Sequence, residues 1–123
     1  MGPENLNLGL VKHLGIRFLE TTGDRVVAEL DIRPELCTLG GAIHGGTLMA
    51  LADTIGAVGT LMTGAKTATA ESKTNFFSAA TSGTVRAEAT PLHKGKRTHV
   101  WQTRITREDG KLVSLTIQTQ MIL

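Results

Sequence analysis

An apolar stretch that follows a glycine-rich turn, residues 40–62, limits the possible folds of this chain more than any other feature. The turn reads Gly-Gly-Ala-Ile-His-Gly-Gly, and the helix predicted after it, which ends near Gly64, is apolar on every side. Such a helix is normally buried in the middle of a domain. Asp53 is the only charged residue between Gly45 and Met62. An ionised carboxylate in these surroundings is costly unless it has partners or a function, so Asp53 is the first candidate for chemistry.

Small or flexible side chains surround Asp53 at a distance of one helical turn, where residues three and four positions apart share a face. These neighbours are Met49, Ala50, Gly56 and Ala57. We therefore expect a narrow groove beside the carboxylate.

Alternation of apolar and polar residues on both sides of this helix predicts about six β-strands. The predicted strands are Gly15 to Thr21, Arg25 to Ile32, Ala65 to Phe77, Thr84 to His93, Thr98 to Arg107 and Lys111 to Leu123. The Asp-Gly pair in the turn at residues 108–110 is a strong hairpin signal. A loop is expected at Arg33 to Ala42. A short helix is expected at Asn5 to His13, with four partly buried side chains, Leu6, Leu8, Leu10 and Val11.

An antiparallel sheet wrapped around one long apolar helix is an α+β arrangement that buries such a helix economically. At 123 residues, the chain is predicted to form a single domain spanning residues 1–123. One sheet covers only one side of a helix, so we expect the remaining side to pair with a second copy in a symmetric dimer.

Composition argues against several classes of function. Aromatic residues make up 3% of the chain and there is no tyrosine, so stacking platforms for single-stranded nucleic acid are not expected. No His, Cys and carboxylate cluster has metal-ligand spacing. The apolar helix contains Asp53, three threonines and four glycines, which is not typical of a membrane span. A single Cys37 and no recognisable signal peptide favour a cytoplasmic protein.

The string His44-Gly45-Gly46, an acidic residue nine positions after the histidine, and four strands after the helix resemble the hotdog-fold acyl-CoA thioesterases. Within the 4-hydroxybenzoyl-CoA thioesterase superfamily, the chain is most similar to the phenylacetate-pathway (PaaI-like) branch, and the string from Thr69 to Phe77 strengthens the likeness. The resemblance covers nearly the whole chain. It implies the hotdog fold and hydrolysis of a small or aromatic acyl-CoA to the free acid and coenzyme A.

The resemblance also implies a site between two subunits. Asp53 of one subunit would act as nucleophile or general base, and Gly45 of the other would offer its backbone N–H to the thioester oxygen. His44 would orient that loop or donate a hydrogen bond near the carbonyl, and Thr69 would help to position the water. Relatives often carry Asn or Gln six residues before the histidine. This chain has Thr38 there, so that role either passes to Thr38 or is lost.

The spacing of Gly45 and Asp53 favours a shared site independently. Backbone N–H groups at a helix start are unsatisfied and lie at the positive end of the helix dipole. Eight residues of helix separate Gly45 from Asp53 by roughly 12 Å, at about 1.5 Å per residue. The two groups of one chain therefore cannot contact the same carbonyl, and we expect a dimer or a dimer of dimers (a homotetramer).

A basic turn, His93-Lys94-Gly95-Lys96-Arg97, lies between two predicted strands. Lys and Arg are suited to the phosphates of coenzyme A, although a solvated hairpin tip also explains such a turn. The predicted coenzyme A contacts are Gly46, Lys94, Lys96 and Arg97. Coenzyme A enters as part of the substrate, and no other cofactor, metal, nucleic acid or membrane partner is expected.

Two other functions fit parts of the pattern. A hotdog protein that binds acyl-CoA or lipid without catalysis is the main alternative, because Thr38 departs from the usual residue. A hotdog hydratase ranks last. Such enzymes typically carry Asp and His together in the loop before the helix, and the segment Arg33 to Ile43 has no such pair.

Overall fold

The structure of the protein is a computed structural model that describes residues 3–123. Eight regular elements follow one another along the chain. They are α1 (Gly9–Leu14), β1 (Arg17–Thr21), β2 (Val26–Asp31), α2 (Gly45–Leu61), β3 (Thr67–Phe76), β4 (Thr84–Lys94), β5 (Thr98–Thr106) and β6 (Leu112–Ile122). Short 3-10 turns lie at Pro3–Leu6 and Pro34–Leu36. Across the described residues, none of the helices has the length and hydropathy to cross a bilayer.

The six strands form one sheet in the order β1-β2-β4-β5-β6-β3, and every neighbouring pair is antiparallel. β1 and β3 are the edge strands. Gly110 takes a positive φ of 85° in the β5–β6 turn, a conformation that glycine adopts without steric cost. The predicted antiparallel sheet and single long helix are confirmed.

Helix α2 packs directly on the sheet because two glycines remove side chains from the contact. A Cβ at Gly56 would lie 2.5 Å from the side chain of Gln118, and one at Gly59 would lie 2.3 Å from the Trp101 ring. Five further α2 residues are buried in the core, namely Leu48, Leu51, Ala52, Ile55 and Val58.

The opposite face of α2 is not covered in the single chain. Met49 is 38% exposed, and Asp53 and Ala57 are half-buried. This partial burial agrees with the expectation that a single sheet shields only the side of the helix that it contacts.

The N-terminal prediction needs correction. The expected helix Asn5 to His13 is split into the 3-10 turn and α1, because Gly9 adopts a left-handed φ of 51° that interrupts a regular helix. Leu6 and Val11 pack against the core as expected. Leu8 and Leu10 instead are 69% and 56% exposed.

Candidate active site

The start of α2 is organised by His44, which is its N-cap residue. The Nδ1 atom of His44 accepts a hydrogen bond of 2.7 Å from the Gly46 backbone N–H, and its carbonyl accepts one of 2.9 Å from the Thr47 N–H. The Gly45 N–H has no acceptor among residues 3–123. Gly45 therefore offers a free donor at the positive end of the helix, whereas the Gly46 donor is already used.

Asp53 lies further along α2 beside an open groove of about 280 Å³. The groove is lined by Met49, Ala50, Asp53, Thr69 and Ser72. Two of the four predicted neighbours, Met49 and Ala50, therefore border it. Gly56 does not, because it packs beneath the helix on Gln118, and Ala57 is also outside the lining.

The Asp53 carboxylate is held by a hydroxyl group rather than by a cation. The Thr69 hydroxyl donates to its Oδ1 atom over 2.6 Å. None of the ion pairs in the described part of the chain includes Asp53. No basic side chain of the described residues therefore competes with a ligand for this carboxylate.

A β-bulge in β3 brings Thr69 and Ser72 to the same side of the sheet. Residues three apart in a regular strand point to opposite faces. The register with β6 shifts between Thr69 and Glu71, so that Thr69 pairs with Gln120 and Ser72 pairs with Gln118. The extra residue turns both side chains toward α2, as bulges beside active sites often do.

Two fully buried glutamines of β6 lie behind the carboxylate. Gln118 Nε2 donates to the Asp53 carbonyl oxygen over 3.2 Å and to Gln120 Oε1 over 2.9 Å. Gln120 Oε1 also lies 2.7 Å from the Thr69 hydroxyl. Neither glutamine was predicted from the sequence. The alternation in β6 groups them with Ser114 and Thr116 on the polar face, opposite Leu115 and Ile117, whereas the structure buries this polar face beneath α2.

Thr38 lies apart from Asp53 in the single chain. Its hydroxyl accepts a hydrogen bond of 3.2 Å from the Gly40 N–H. It borders a separate cleft of about 320 Å³ together with Cys37 and Leu39. One chain thus brings Asp53 and Thr69 together, and leaves Thr38 and the helix start elsewhere.

The predicted phosphate-binding residues separate into two kinds. Lys94 Nζ donates to the Gly23 carbonyl over 2.9 Å and to Asp24 Oδ1 over 2.7 Å, so it ties the β4–β5 hairpin to the β1–β2 turn. Lys96 and Arg97 are exposed and form no ion pair within residues 3–123. Of the three predicted cations, Lys96 and Arg97 are therefore the two that are available to an incoming anion, because Lys94 is already bonded to Gly23 and Asp24.

A second buried polar cluster lies under the far end of α2. The Thr60 hydroxyl accepts a hydrogen bond of 2.9 Å from Trp101 Nε1, and its oxygen lies 3.0 Å from His99 Nδ1. Burial, followed by the charges of Lys94 and His93, lowers the pKa of His99. Thr60 therefore links α2 to both Trp101 and His99, and the cluster holds the helix to β5.

No group of three or more His, Cys, Asp or Glu residues in the described ranges is placed to hold a metal ion. The groups that the structure offers near Asp53 and at the start of α2 are a carboxylate, the Thr69 hydroxyl and the Gly45 backbone N–H.

The chain is similar to known proteins in both sequence and structure. The family model of the thioesterase superfamily matches residues 40–114. The 1,4-dihydroxy-2-naphthoyl-CoA hydrolase of Escherichia coli is 35% identical over 126 residues, which cover 100% of this chain and 90% of the relative.

Two solved structures show the same architecture. The thioesterase HI1161 from Haemophilus influenzae matches with a TM-score of 0.92 and 30% identity, covering 100% of this chain and 91% of that chain. The Escherichia coli PaaI protein from the phenylacetic acid degradation operon matches with a TM-score of 0.91 and 25% identity, covering 98% of this chain and 88% of that chain.

Proposed function

Because this chain belongs to the thioesterase superfamily, has its hotdog fold and is a thioester hydrolase, we propose that its substrate is a small or aromatic acyl-CoA. The products are the free acid and coenzyme A. Asp53 supplies the catalytic carboxylate. The aromatic class is supported by the relative that hydrolyses a naphthoyl-CoA and by the likeness to PaaI.

The placement of Asp53 carries this proposal. Its carboxylate borders an open groove, has no basic partner in the described residues and is oriented by the Thr69 hydroxyl. A buried structural aspartate would be expected to have a cationic partner or several donors. Asp53 has no cationic partner among residues 3–123. Both of its side-chain donors, Thr69 at 2.6 Å and Gln118 Nε2 at 3.4 Å, are neutral and meet the same Oδ1 atom, so the carboxylate is open to a ligand.

The reaction uses the carboxylate and the helix start together. The Gly45 N–H donates to the thioester oxygen, and losing one such donor typically costs on the order of 10²–10³ in rate. Asp53 either removes a proton from the attacking water or attacks the carbonyl carbon itself. The carbon–sulfur bond then breaks, and the coenzyme A thiolate leaves. Water attack gives the free acid directly, whereas attack by Asp53 leaves an acyl–Asp53 anhydride, which water hydrolyses to the free acid and the Asp53 carboxylate. His44 holds the loop through its bond to the Gly46 N–H.

A second copy of the chain completes the site. Gly45 and Asp53 of one helix are too far apart to contact the same carbonyl, so the partner supplies one of them. Exposed apolar side chains of the two regions, Met49, Phe76 and Phe77, fit a contact between copies, and Phe76 packs directly on Gly45. The functional unit is therefore a dimer, or a dimer of dimers, of the single domain spanning residues 1–123.

Coenzyme A would enter along the basic hairpin, where Lys96 and Arg97 meet its phosphates. No other cofactor is proposed, and the proposed location is the cytoplasm. Thr38 takes the place of the amide residue that relatives often carry. Its short hydroxyl fits a weaker contact with the water or the substrate carbonyl.

Release of free thiol from a panel of acyl-CoAs tests the proposal. The panel is acetyl-, hexanoyl-, palmitoyl-, benzoyl- and phenylacetyl-CoA, with wild type compared with Asp53→Asn. We expect the fastest release from an aromatic or short ester and a loss of roughly 10³-fold or more in the variant, because the amide is neither a base nor a nucleophile. Wild-type turnover by Asp53→Asn contradicts the role of Asp53.

A further inference from the structure

We propose that Gln120 is a positioning residue whose side-chain carbonyl accepts the hydrogen bond from the Thr69 hydroxyl whenever Asp53 loses its negative charge. This inference rests on the proposed function of Asp53 and adds a group that does not contact the substrate. It concerns a hydrogen bond that changes partner during each turnover.

The Thr69 hydroxyl has one proton and two acceptors at nearly equal distances. Asp53 Oδ1 lies 2.6 Å from Thr69 Oγ1, and Gln120 Oε1 lies 2.7 Å from it. One hydroxyl proton serves a single acceptor well at any moment. A charged acceptor forms the stronger bond, so the proton points to Asp53 while that carboxylate is ionised.

The orientation of the Gln120 amide follows from its neighbours. The Thr67 hydroxyl donates its only proton to the Met121 carbonyl over 2.7 Å, so it can only accept from Gln120. The atom 3.0 Å from Thr67 is therefore Nε2, and Oε1 is left toward Thr69. Gln118 Nε2 also donates to Oε1, which fixes the carbonyl in place.

Burial makes this second acceptor persistent. Gln118 and Gln120 are both fully buried, and the absence of a side chain at Gly56 leaves the space that Gln118 fills. In a buried site, a hydrogen-bonding group without a partner is costly. Gln120 therefore remains ready for the Thr69 proton without competition from bulk water.

The change of partner is coupled to the chemistry. When Asp53 takes a proton from water, or forms an acyl bond, its carboxylate becomes neutral and is a weaker acceptor. The Thr69 O–H then rotates to Gln120 Oε1, and the Thr69 oxygen can accept the new Asp53 O–H. The proton stays on Thr69, and the proton removed from water is the one held by Asp53. Gln120 thereby stabilises the neutral state of Asp53, whereas Thr69 stabilises its ionised state.

Two variants test these opposite roles of Gln120 and Thr69, because the variants are expected to move the pH–rate profile in opposite directions. Gln120→Met removes the acceptor at similar volume. We expect kcat to fall about fivefold, the change that corresponds to roughly 1 kcal/mol for one hydrogen bond. KM should stay within about twofold of the wild-type value, and the acidic limb of the pH–rate profile should move to lower pH. Thr69→Val removes the donor to the carboxylate, so the acidic limb moves to higher pH.

Thr67→Val is the matched control. It removes the acceptor of Gln120 Nε2, while the hydrogen bond from Gln118 Nε2 still holds Oε1 toward Thr69. Its acidic limb should stay at the wild-type pH. Equal profiles for Gln120→Met and wild type, or movement to higher pH in both variants, overturn the inference. Asp53→Asn in the same assay reports separately on the proposed function, because it loses thiol release whatever the role of Gln120.

Nuclear magnetic resonance of the wild-type protein tests the same inference if Gln120→Met does not fold. The ¹³Cδ signal of Gln120 should titrate over the pH range of the acidic limb in wild type and become flat in Asp53→Asn. A signal that does not change with pH in wild type overturns the inference.

Discussion

Asp53 illustrates how one neutral neighbour sets the chemistry of a single residue. The Thr69 hydroxyl orients the carboxylate at 2.6 Å without neutralising it. A lysine or arginine in the same place would hold the carboxylate in an ion pair and weaken it as a base or nucleophile. Asp53 therefore combines a fixed geometry with a free charge.

His99 makes the stability of the protein depend on pH. Its pKa is lowered in the folded chain, first by burial and then by the positive charges of Lys94 and His93. In the unfolded chain a histidine titrates near 6.5, so the unfolded state binds the proton first as the pH falls. The contribution of His99 is thus complete above about pH 6.5 and is lost as the pH falls through the folded-state pKa.

We expect the free energy of unfolding to be smaller at about pH 5.5 than at about pH 7.5, on either side of the histidine pKa. Denaturation can be followed by the fluorescence of Trp101, the one tryptophan of the chain, which shares Thr60 with His99. His99→Gln keeps an acceptor but does not titrate, so its dependence on pH should be weaker. An unchanged dependence in His99→Gln refutes this account.

At the scale of elements, two glycines of α2 and the bulge in β3 set the positions of the side chains around Asp53. Gly56 and Gly59 allow α2 to approach the sheet closely enough for Gln118 to bond to the Asp53 carbonyl. The bulge in β3 turns Thr69 toward the same helix. A larger residue at either glycine would lift α2 away from the amides beneath it.

The β4–β5 hairpin makes a separate prediction about coenzyme A. Lys96→Ala and Arg97→Ala should raise KM for full acyl-CoA esters several-fold, as the loss of one charge-assisted contact implies. They should leave short thioesters without the nucleotide unaffected. Lys94→Ala is the control, because Lys94 already bonds to Gly23 and Asp24. It should lower thermal stability and not selectively weaken coenzyme A esters. Equal effects of Lys96→Ala and Arg97→Ala on both thioester types exclude a phosphate site.

At the scale of the whole molecule, the two halves of the site lie at different positions along one helix. In the proposed mechanism, the carboxylate of one copy would therefore act together with the Gly45 donor of another. Gly45→Pro removes this N–H at the first helical position, where proline is well tolerated. His44 has φ −68° and ψ 138°, a conformation that suits a residue before proline.

Mixed oligomers of Asp53→Asn and Gly45→Pro chains test the shared site. Each variant alone should be inactive and folded, as judged by circular dichroism. In a randomly mixed symmetric dimer, one site in each heterodimer carries neither change, so about a quarter of wild-type thiol release should return. Two differently tagged Asp53→Asn chains are the control without recovery. No activity in purified heterodimers contradicts the shared site.

Local patterns in the sequence were enough to predict the strands, the long apolar helix and its isolated acidic residue. Those features depend on local periodicity, because alternate burial in a strand and the face of a helix are written into neighbouring residues. The alternation of Val85, Ala87 and Ala89, all fully buried, is one example. The His-Gly-Gly turn likewise predicted a helix start, which the structure places at Gly45.

The groups that surround Asp53 come from distant parts of the chain and could not be predicted from local patterns. Thr69 is 16 residues away along the chain and Gln118 is 65 residues away. Their meeting depends on strand register and on one extra residue in β3. A shift of one residue in register exchanges the two faces of a strand, and no local pattern specified that shift. The contact between His99 and Thr60 was not predicted for the same reason, because the two residues are 39 positions apart and meet only in the folded chain.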